Sequence, residues 1–167
     1  MDSSRFYDWL AYEVINSSPQ RCFVPFGTGN LYENMMAINQ KELAYHSGGN
    51  DPRFKGESEI LRRCNFLGAT TNNPKSKATK LYSYHLPFVH FDEQRLKFYT
   101  YAGFCGQHSN VYPIEEAKLD EAVELLTQQG VAVEPSGAAG LALLLQMQDD
   151  VPKDDKILIV STGKTKR

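Results

Sequence analysis

The spacing of hydrophobic residues along the first forty positions predicts a helix, a strand and a second helix. Apolar residues recur every four positions over 4–16, which is the period of one helix face. The apolar run at 22–26 predicts a short buried strand. A glycine-containing turn at 27–30 separates this strand from a helix predicted from Leu31 to Gln40.

The middle of the chain carries weaker signals. Residues 46–57 combine Gly, Asn, Asp and Pro, which is the composition of a loop, and residues 70–77 have the composition of a polar turn. The segment 63–69 between them predicts a second strand. Residues 78–110 hold much of the aromatic content, and their pattern predicts no particular element.

The last third of the chain has a clearer pattern. A hydrophobic stripe at helical spacing predicts a helix that Gly130 ends. The pattern then predicts a short strand at 131–133, a helix from Ser136 to Met147 and a buried strand at 156–160. The stripe of the first of these helices consists of Leu119, Ala122, Val123 and Leu126.

This alternation of strands and helices predicts an α/β fold with a mainly parallel sheet and helices on both faces. The chain has 167 residues, a length that fits a single domain with a hydrophobic core. Hydrophobic residues make up 41% of the sequence and charged residues 23%, which is ordinary for a globular protein.

Charge and hydropathy exclude several classes of partner. The formal net charge of −2 gives no electrostatic reason to expect a nucleic acid or an anionic membrane as a partner. The first residues lack the apolar core of a signal peptide, and no stretch approaches the length of a transmembrane helix. We therefore expect a cytoplasmic protein.

Cysteine and histidine positions give no indication of a disulfide or a metal site. Cys22, Cys64 and Cys105 form no C-x-x-C pair, and their number is odd, so we expect free thiols that pack as small hydrophobic groups. The histidines share no metal-ligand spacing, and we expect no bound metal. They are His46, His85, His90 and His108.

The turn at 27–30 is a candidate anion site. Glycine permits a tight turn and a close approach of the backbone to a ligand, and the start of a helix presents N–H groups and a positive dipole end. A purely structural turn is the alternative, and it is the more common meaning of such glycines. A Rossmann dinucleotide fingerprint is excluded, because its third glycine would have to stand where Tyr32 is.

The segment 133–142 carries the most specific signal, Glu-Pro-Ser-Gly-Ala-Ala. It resembles a motif of the fold-type II pyridoxal-phosphate (PLP) enzymes, the tryptophan synthase β-subunit-like superfamily, which includes threonine and serine dehydratases and threonine synthases. Residues 24–29 resemble the family's phosphate-binding strand and loop, and residues 157–163 resemble its last core strand. The features follow the family's chain order. The resemblance implies that the fold corresponds to the family's large C-terminal domain.

The resemblance implies a phosphate contact at the glycine turn. Backbone N–H groups of Gly27, Thr28, Gly29 and Asn30 would receive the phosphate, and the Thr28 hydroxyl would add a hydrogen bond. The family loop usually has a further glycine where Asn30 stands. Asparagine tolerates a left-handed backbone better than other non-glycine residues, so the loop is expected to survive with altered contacts.

The resemblance also implies contacts to the cofactor ring. Glu134, Ser136 and Gly137 would lie near the ring. Thr162 aligns with the residue that hydrogen-bonds the pyridine nitrogen, and Ser161 takes this place if the strand is shifted by one residue.

The lysine that forms the Schiff base in this family has no counterpart in the sequence. It lies well before the phosphate loop, whereas only 26 residues precede Gly27 here and none of them is lysine. Lys75 and Lys77 follow the loop and cannot be aligned with it. We therefore expect residues 1–167 to be a partial PLP-binding domain, inactive alone and without a catalytic residue of its own.

Two functional hypotheses follow. In the first, the chain is the C-terminal portion of a PLP-dependent lyase or synthase that performs elimination or replacement on a small hydroxy-amino acid. The lysine-bearing N-terminal portion would then be supplied in the same chain or by a second one, and homo-oligomerisation is possible for such an assembly. In the second, the chain is a remnant domain that binds a partner protein or a phosphorylated ligand without catalysis.

Overall fold

The computed structural model describes residues 7–47, 64–82, 89–92, 97–100 and 110–162. In these residues one sheet contains the strands β1 (Arg21–Pro25), β2 (Asn65–Thr70), β3 (Val89–Asp92), β4 (Lys97–Thr100), β5 (Asn110–Pro113) and β6 (Ile157–Ile159). The helices are α1 (Asp8–Asn16), α2 (Asn30–Ser47), α3 (Glu116–Gln128) and α4 (Ala139–Gln146), with short 310 helices at Thr79–Leu81, Pro135–Ala138 and Gln148–Asp150. Within this described part, the helices are too short or too polar to span a bilayer.

The sheet has the strand order β3-β4-β5-β2-β1-β6. β5, β2, β1 and β6 run parallel to one another, which confirms the predicted parallel sheet. β3 and β4 form an antiparallel hairpin that adds to β5 at one side of the sheet. This hairpin lies in the aromatic stretch 78–110, for which the sequence predicted no element.

Each face of the parallel strands packs against its own pair of helices. On β1, Cys22 and Val24 point to the face covered by α1 and α2, where they pack with Val14 and Met35. Phe23 points to the opposite face. This alternation buries both sides of the strand, and a strand buried on both faces reads as a continuous apolar run.

The second face is covered by α3 and α4. Leu119 and Ala122 of α3 are fully buried there, so the predicted stripe of this helix is confirmed. Ala142 and Leu143 of α4 pack into the same cluster. Gly140 brings α4 close to the sheet, because a Cβ atom at this position would lie 2.9 Å from the Phe23 carbonyl oxygen. The small residues of this helix therefore permit close packing on β1.

Three predicted element boundaries are wrong. α2 continues past Gln40 to Ser47, because the intervening residues are good helix formers without Gly or Pro. Residues 131–133 are not a strand of the sheet: Val131 is exposed, and its N–H bonds the last turn of α3. Ser136 lies in a 310 helix, and α4 begins only at Ala139.

Gly130 ends α3 in a left-handed conformation, with φ of 77°. The N–H of Gly130 bonds the Thr127 carbonyl and that of Val131 bonds the Leu126 carbonyl, which is the Schellman pattern. A Cβ atom at Gly130 would meet no atom within 4 Å, so substitution adds only backbone strain. We expect Gly130→Ala to lower the free energy of unfolding by about 1 kcal/mol in urea denaturation. Gly130→Asn is expected to lose less, and an equal loss in both variants would contradict this account.

The cysteines of the described part pack as hydrophobic groups. Cys22 is buried and Cys64 is partly buried, and both thiols are free. Burial raises the pKa of the Cys22 thiol well above its usual range and raises the pKa of the Cys64 thiol to about 12. Both groups therefore stay protonated near neutral pH and are poor nucleophiles. Cys105 lies outside the described residues.

Candidate functional site

The carboxyl ends of the parallel strands meet at one edge of the sheet, called here the carboxyl edge. After β1 the chain passes through α2 to β2 on one side, and β6 returns on the other side of β1. The strand order therefore reverses between β1 and β6. In open α/β sheets, ligands bind in the crevice outside the carboxyl ends of the strands at such a reversal. The turn Gly27–Gly29 follows β1 at this place, and Ser161 and Thr162 follow β6.

The glycine turn is held in shape by the aromatic residue that precedes it. Gly29 has a φ of 87°, and a Cβ atom there would lie 3.0 Å from Cζ of Phe26. The Phe26 ring meets the Tyr32 ring edge-on at a centroid distance of 5.5 Å. Tyr32 donates a hydrogen bond of 3.1 Å to the Phe66 carbonyl of β2. Both the backbone conformation and the lack of space therefore require glycine at position 29.

The turn leads directly into α2. The Glu33 N–H donates to the Gly29 carbonyl over 2.8 Å and closes the first turn of the helix. Thr28 and Asn30 are exposed. The expectation that Asn30 uses a left-handed backbone is wrong, because Asn30 is the first residue of α2 and only Gly29 in this turn has a positive φ. A helix of this length presents N–H groups and a positive dipole end to an anion.

The Glu-Pro-Ser-Gly segment packs directly against the end of β6. A Cβ atom at Gly137 would lie 2.0 Å from the Thr162 carbonyl oxygen. The Ser161 hydroxyl donates to the Gly137 carbonyl over 3.1 Å. Ser136 is buried, and the Glu134 carbonyl accepts the N–H of Gly137 over 2.9 Å. The structure therefore brings these residues together, as the resemblance implied.

The two residues after β6 differ in their bonding. The Ser161 hydroxyl is engaged by Gly137. Thr162 is exposed, and its hydroxyl has no hydrogen-bond partner in the described part of the chain. The hydroxyl at 162 is thus the better placed of the two to bond a ligand.

Lys80 joins the glycine turn to the Glu-Pro-Ser-Gly segment, and sequence reasoning missed it. A Cβ atom at Gly27 would lie 3.0 Å from the Lys80 carbonyl oxygen. The Lys80 ammonium lies 2.7 Å from each carboxylate oxygen of Glu134. Lys80 belongs to a stretch that matches no motif, and its partner is 54 positions away. A sequence pattern carries no signal for a pair so far apart.

These residues fit a ligand with a phosphate at one end and a polar ring atom at the other. The glycine turn, in which Thr28 is exposed, and the start of α2 suit the phosphate. The Thr162 hydroxyl suits a ring nitrogen, and the backbone of Gly137 leaves no room for a side chain between the segments. The residues assigned to PLP therefore meet its chemistry at both ends.

The described residues contain no group of three or more His, Cys, Asp or Glu side chains that could hold a metal ion. The side chains of all four histidines lie outside the described residues.

The chain is similar in sequence to a threonine synthase. It is 27% identical to the enzyme of Synechocystis sp. over 154 residues, which cover 90% of this chain and 38% of that protein. No protein-family model matches the chain.

Solved structures of three enzymes share the fold. A serine ammonia-lyase from Rhizomucor miehei superposes with a TM-score of 0.64 at 14% identity, covering 97% of this chain and 52% of that enzyme. Serine racemase from Dictyostelium discoideum gives 0.63 at 17% identity, covering 96% and 49%. A threonine deaminase from T.th. gives 0.60 at 16% identity, covering 96% and 56%.

These names are enzyme types of the PLP-dependent superfamily that the sequence motifs resemble, and the resemblance is thereby confirmed. The chain spans about half the length of the solved relatives and 38% of the threonine synthase. It has the α/β fold of fold-type II PLP enzymes and corresponds to part of their length.

Proposed function

We propose that this chain supplies the phosphate-binding and ring-nitrogen-binding part of a PLP-dependent enzyme that performs elimination or replacement on a small hydroxy-amino acid. The observation that carries the proposal is the meeting of three segments at the carboxyl edge: the glycine turn, the Glu-Pro-Ser-Gly segment and the end of β6. These segments occur in the same chain order as in the family that the sequence resembles.

Each segment has its own task in the proposed site. Backbone N–H groups from Gly27 to Asn30 bind the phosphate, and the Thr28 hydroxyl adds a donor. The hydroxyl of Thr162 bonds the ring nitrogen, while Gly137 keeps the wall beside it free of side chains. When bound, PLP supplies the electron sink of the reaction, and the protein orients and tunes it. The lysine of the reaction comes from a further segment, in the same chain or in a second one.

A phosphate titration followed by amide chemical shifts tests the proposed phosphate site. We expect shifts in the amides from Gly27 to Leu31, because a glycine turn before a helix aims N–H groups at an anion. The affinity should be weak, since Glu33 places a carboxylate in the first turn of α2. Silent amides in this turn, with shifts elsewhere, would contradict the assignment. Chloride at equal ionic strength is the control.

The second candidate is a binding domain without catalysis. The same turn would then hold a phosphorylated ligand, and no lysine-bearing portion would be needed. Phosphate binding alone agrees with both candidates. Activity on serine or threonine after addition of a lysine-bearing portion from a related enzyme separates them, because only the first candidate predicts it.

A further inference from the structure

The two ends of the proposed site lie on segments that are far apart in the sequence. The phosphate end is the turn after β1, and the ring-nitrogen end is the segment after β6. A ligand that bridges them requires the two ends to be held at a fixed separation. The bond between Ser161 and Gly137 fixes the second end to the Glu-Pro-Ser-Gly segment. It does not fix that segment to the glycine turn.

Lys80 makes the missing connection. Its backbone lies against the turn, since a Cβ atom at Gly27 would be 3.0 Å from its carbonyl oxygen. Its ammonium binds both carboxylate oxygens of Glu134 at 2.7 Å. The Glu134 carbonyl in turn accepts the N–H groups of Gly137 and Ala138, which form the 310 helix beside Thr162. One side chain thus ties the phosphate end to the ring-nitrogen end.

A second ion pair in the same region shows what is particular to this one. Lys77 binds both carboxylate oxygens of Asp120 on α3, also at 2.7 Å. The two lysine side chains are equally exposed, at 57%. The acids differ, because Asp120 is 56% exposed whereas Glu134 is only 25% exposed. The pair with Asp120 is an ordinary surface ion pair, and such pairs contribute little to stability.

We propose that Lys80 is a positioning residue whose ion pair with Glu134, the Lys80–Glu134 latch, sets the separation of the two ends of the site for a phosphopyridine ligand. This inference rests on the proposed function, because it assumes that the carboxyl edge binds such a ligand. Lys80 touches neither end of the ligand in this role. It acts through the glycine turn on one side and through the Glu-Pro-Ser-Gly segment on the other.

Pyridoxine 5′-phosphate is the suitable probe for the latch. It has the ring and the phosphate of PLP but no aldehyde, so it cannot react with lysine side chains. Inorganic phosphate is the companion probe, since it occupies the turn alone. A latch that sets a separation matters for the first probe and not for the second.

The decisive variant is the charge-balanced double substitution Lys80→Met with Glu134→Gln, measured by isothermal titration calorimetry. We expect it to bind pyridoxine 5′-phosphate about fivefold more weakly than the wild type. Inorganic phosphate should bind within about twofold of the wild type, because the net charge near the turn is unchanged. The control Lys77→Met with Asp120→Asn should change neither affinity. The two double variants should unfold at similar temperatures.

The single variant Glu134→Gln separates the latch from a direct cation. If the Lys80 ammonium simply attracted the phosphate, removing its partner would tighten binding. The latch predicts the opposite, a weaker affinity for pyridoxine 5′-phosphate than in the wild type. Tighter binding, or wild-type binding by the charge-balanced variant, would overturn the latch and leave the proposed function standing. A wild-type chain that binds neither probe would instead contradict the proposed function.

Discussion

Gly137→Ala is expected to lower the free energy of unfolding by about 3 kcal/mol and to abolish binding of pyridoxine 5′-phosphate. The new Cβ atom would lie 2.0 Å from the Thr162 carbonyl oxygen. A backbone carbonyl cannot rotate away as a flexible side chain can. Either the Glu-Pro-Ser-Gly segment or the end of β6 must therefore move by about 1 Å or more to restore van der Waals contact.

Urea denaturation and calorimetric titration measure the two effects of Gly137→Ala separately. Gly130→Ala is the matched control, since its Cβ atom would meet no atom within 4 Å and only strains the backbone. The control is expected to lose about 1 kcal/mol of stability and to keep its affinity for the ligand. A Gly137→Ala chain with wild-type affinity would show that the segment does not form a wall of the site.

Ser161→Ala removes the hydrogen bond across the same contact without adding an atom. It should cost about 1 kcal/mol of stability, the usual worth of one neutral hydrogen bond. Gly137 and Ser161 thus report on one contact from its two sides. Their effects should not be additive, because both substitutions act on the same pair of segments.

Sequence patterns were sufficient for the elements that are buried on both faces. β1 and β6 are continuous apolar runs because parallel strands are covered by helices on each side. The stripe of α3 was equally clear, because only one face of that helix is buried. Val131 and Val133 misled the prediction, since their apolar character reflects the end of α3 rather than a place in the sheet.

The candidate site was only half predictable for a different reason. The glycine turn and the Glu-Pro-Ser-Gly segment are local motifs, so their residues could be named from the sequence. Their closeness to one another depends on strand order, and strand order is set by the packing of the whole sheet. Lys80 has no local motif at all. Its role arises from an ion pair that the fold creates between distant segments.

Thr162→Val is expected to weaken binding of pyridoxine 5′-phosphate about tenfold and to change the near-ultraviolet spectrum of the bound ligand. A threonine hydroxyl is neutral and can donate to an unprotonated pyridine nitrogen, so it does not hold a proton there as an aspartate would. Valine has the same shape without the hydroxyl. The Thr162 hydroxyl is available for this bond, because it has no partner in the described part of the chain.

The same hydroxyl bears on the class of reaction. A pyridine ring that is not protonated withdraws electrons less strongly, and this suits loss of a leaving group at the β or γ carbon better than transamination. In an assembly with the lysine-bearing portion, Thr162→Val should therefore lower elimination activity as well as altering the spectrum. Ser161→Ala should lower stability and leave the spectrum of the bound ligand unchanged, since the Ser161 hydroxyl bonds Gly137. The reverse result, an altered spectrum in Ser161→Ala and none in Thr162→Val, would move the ring nitrogen to Ser161.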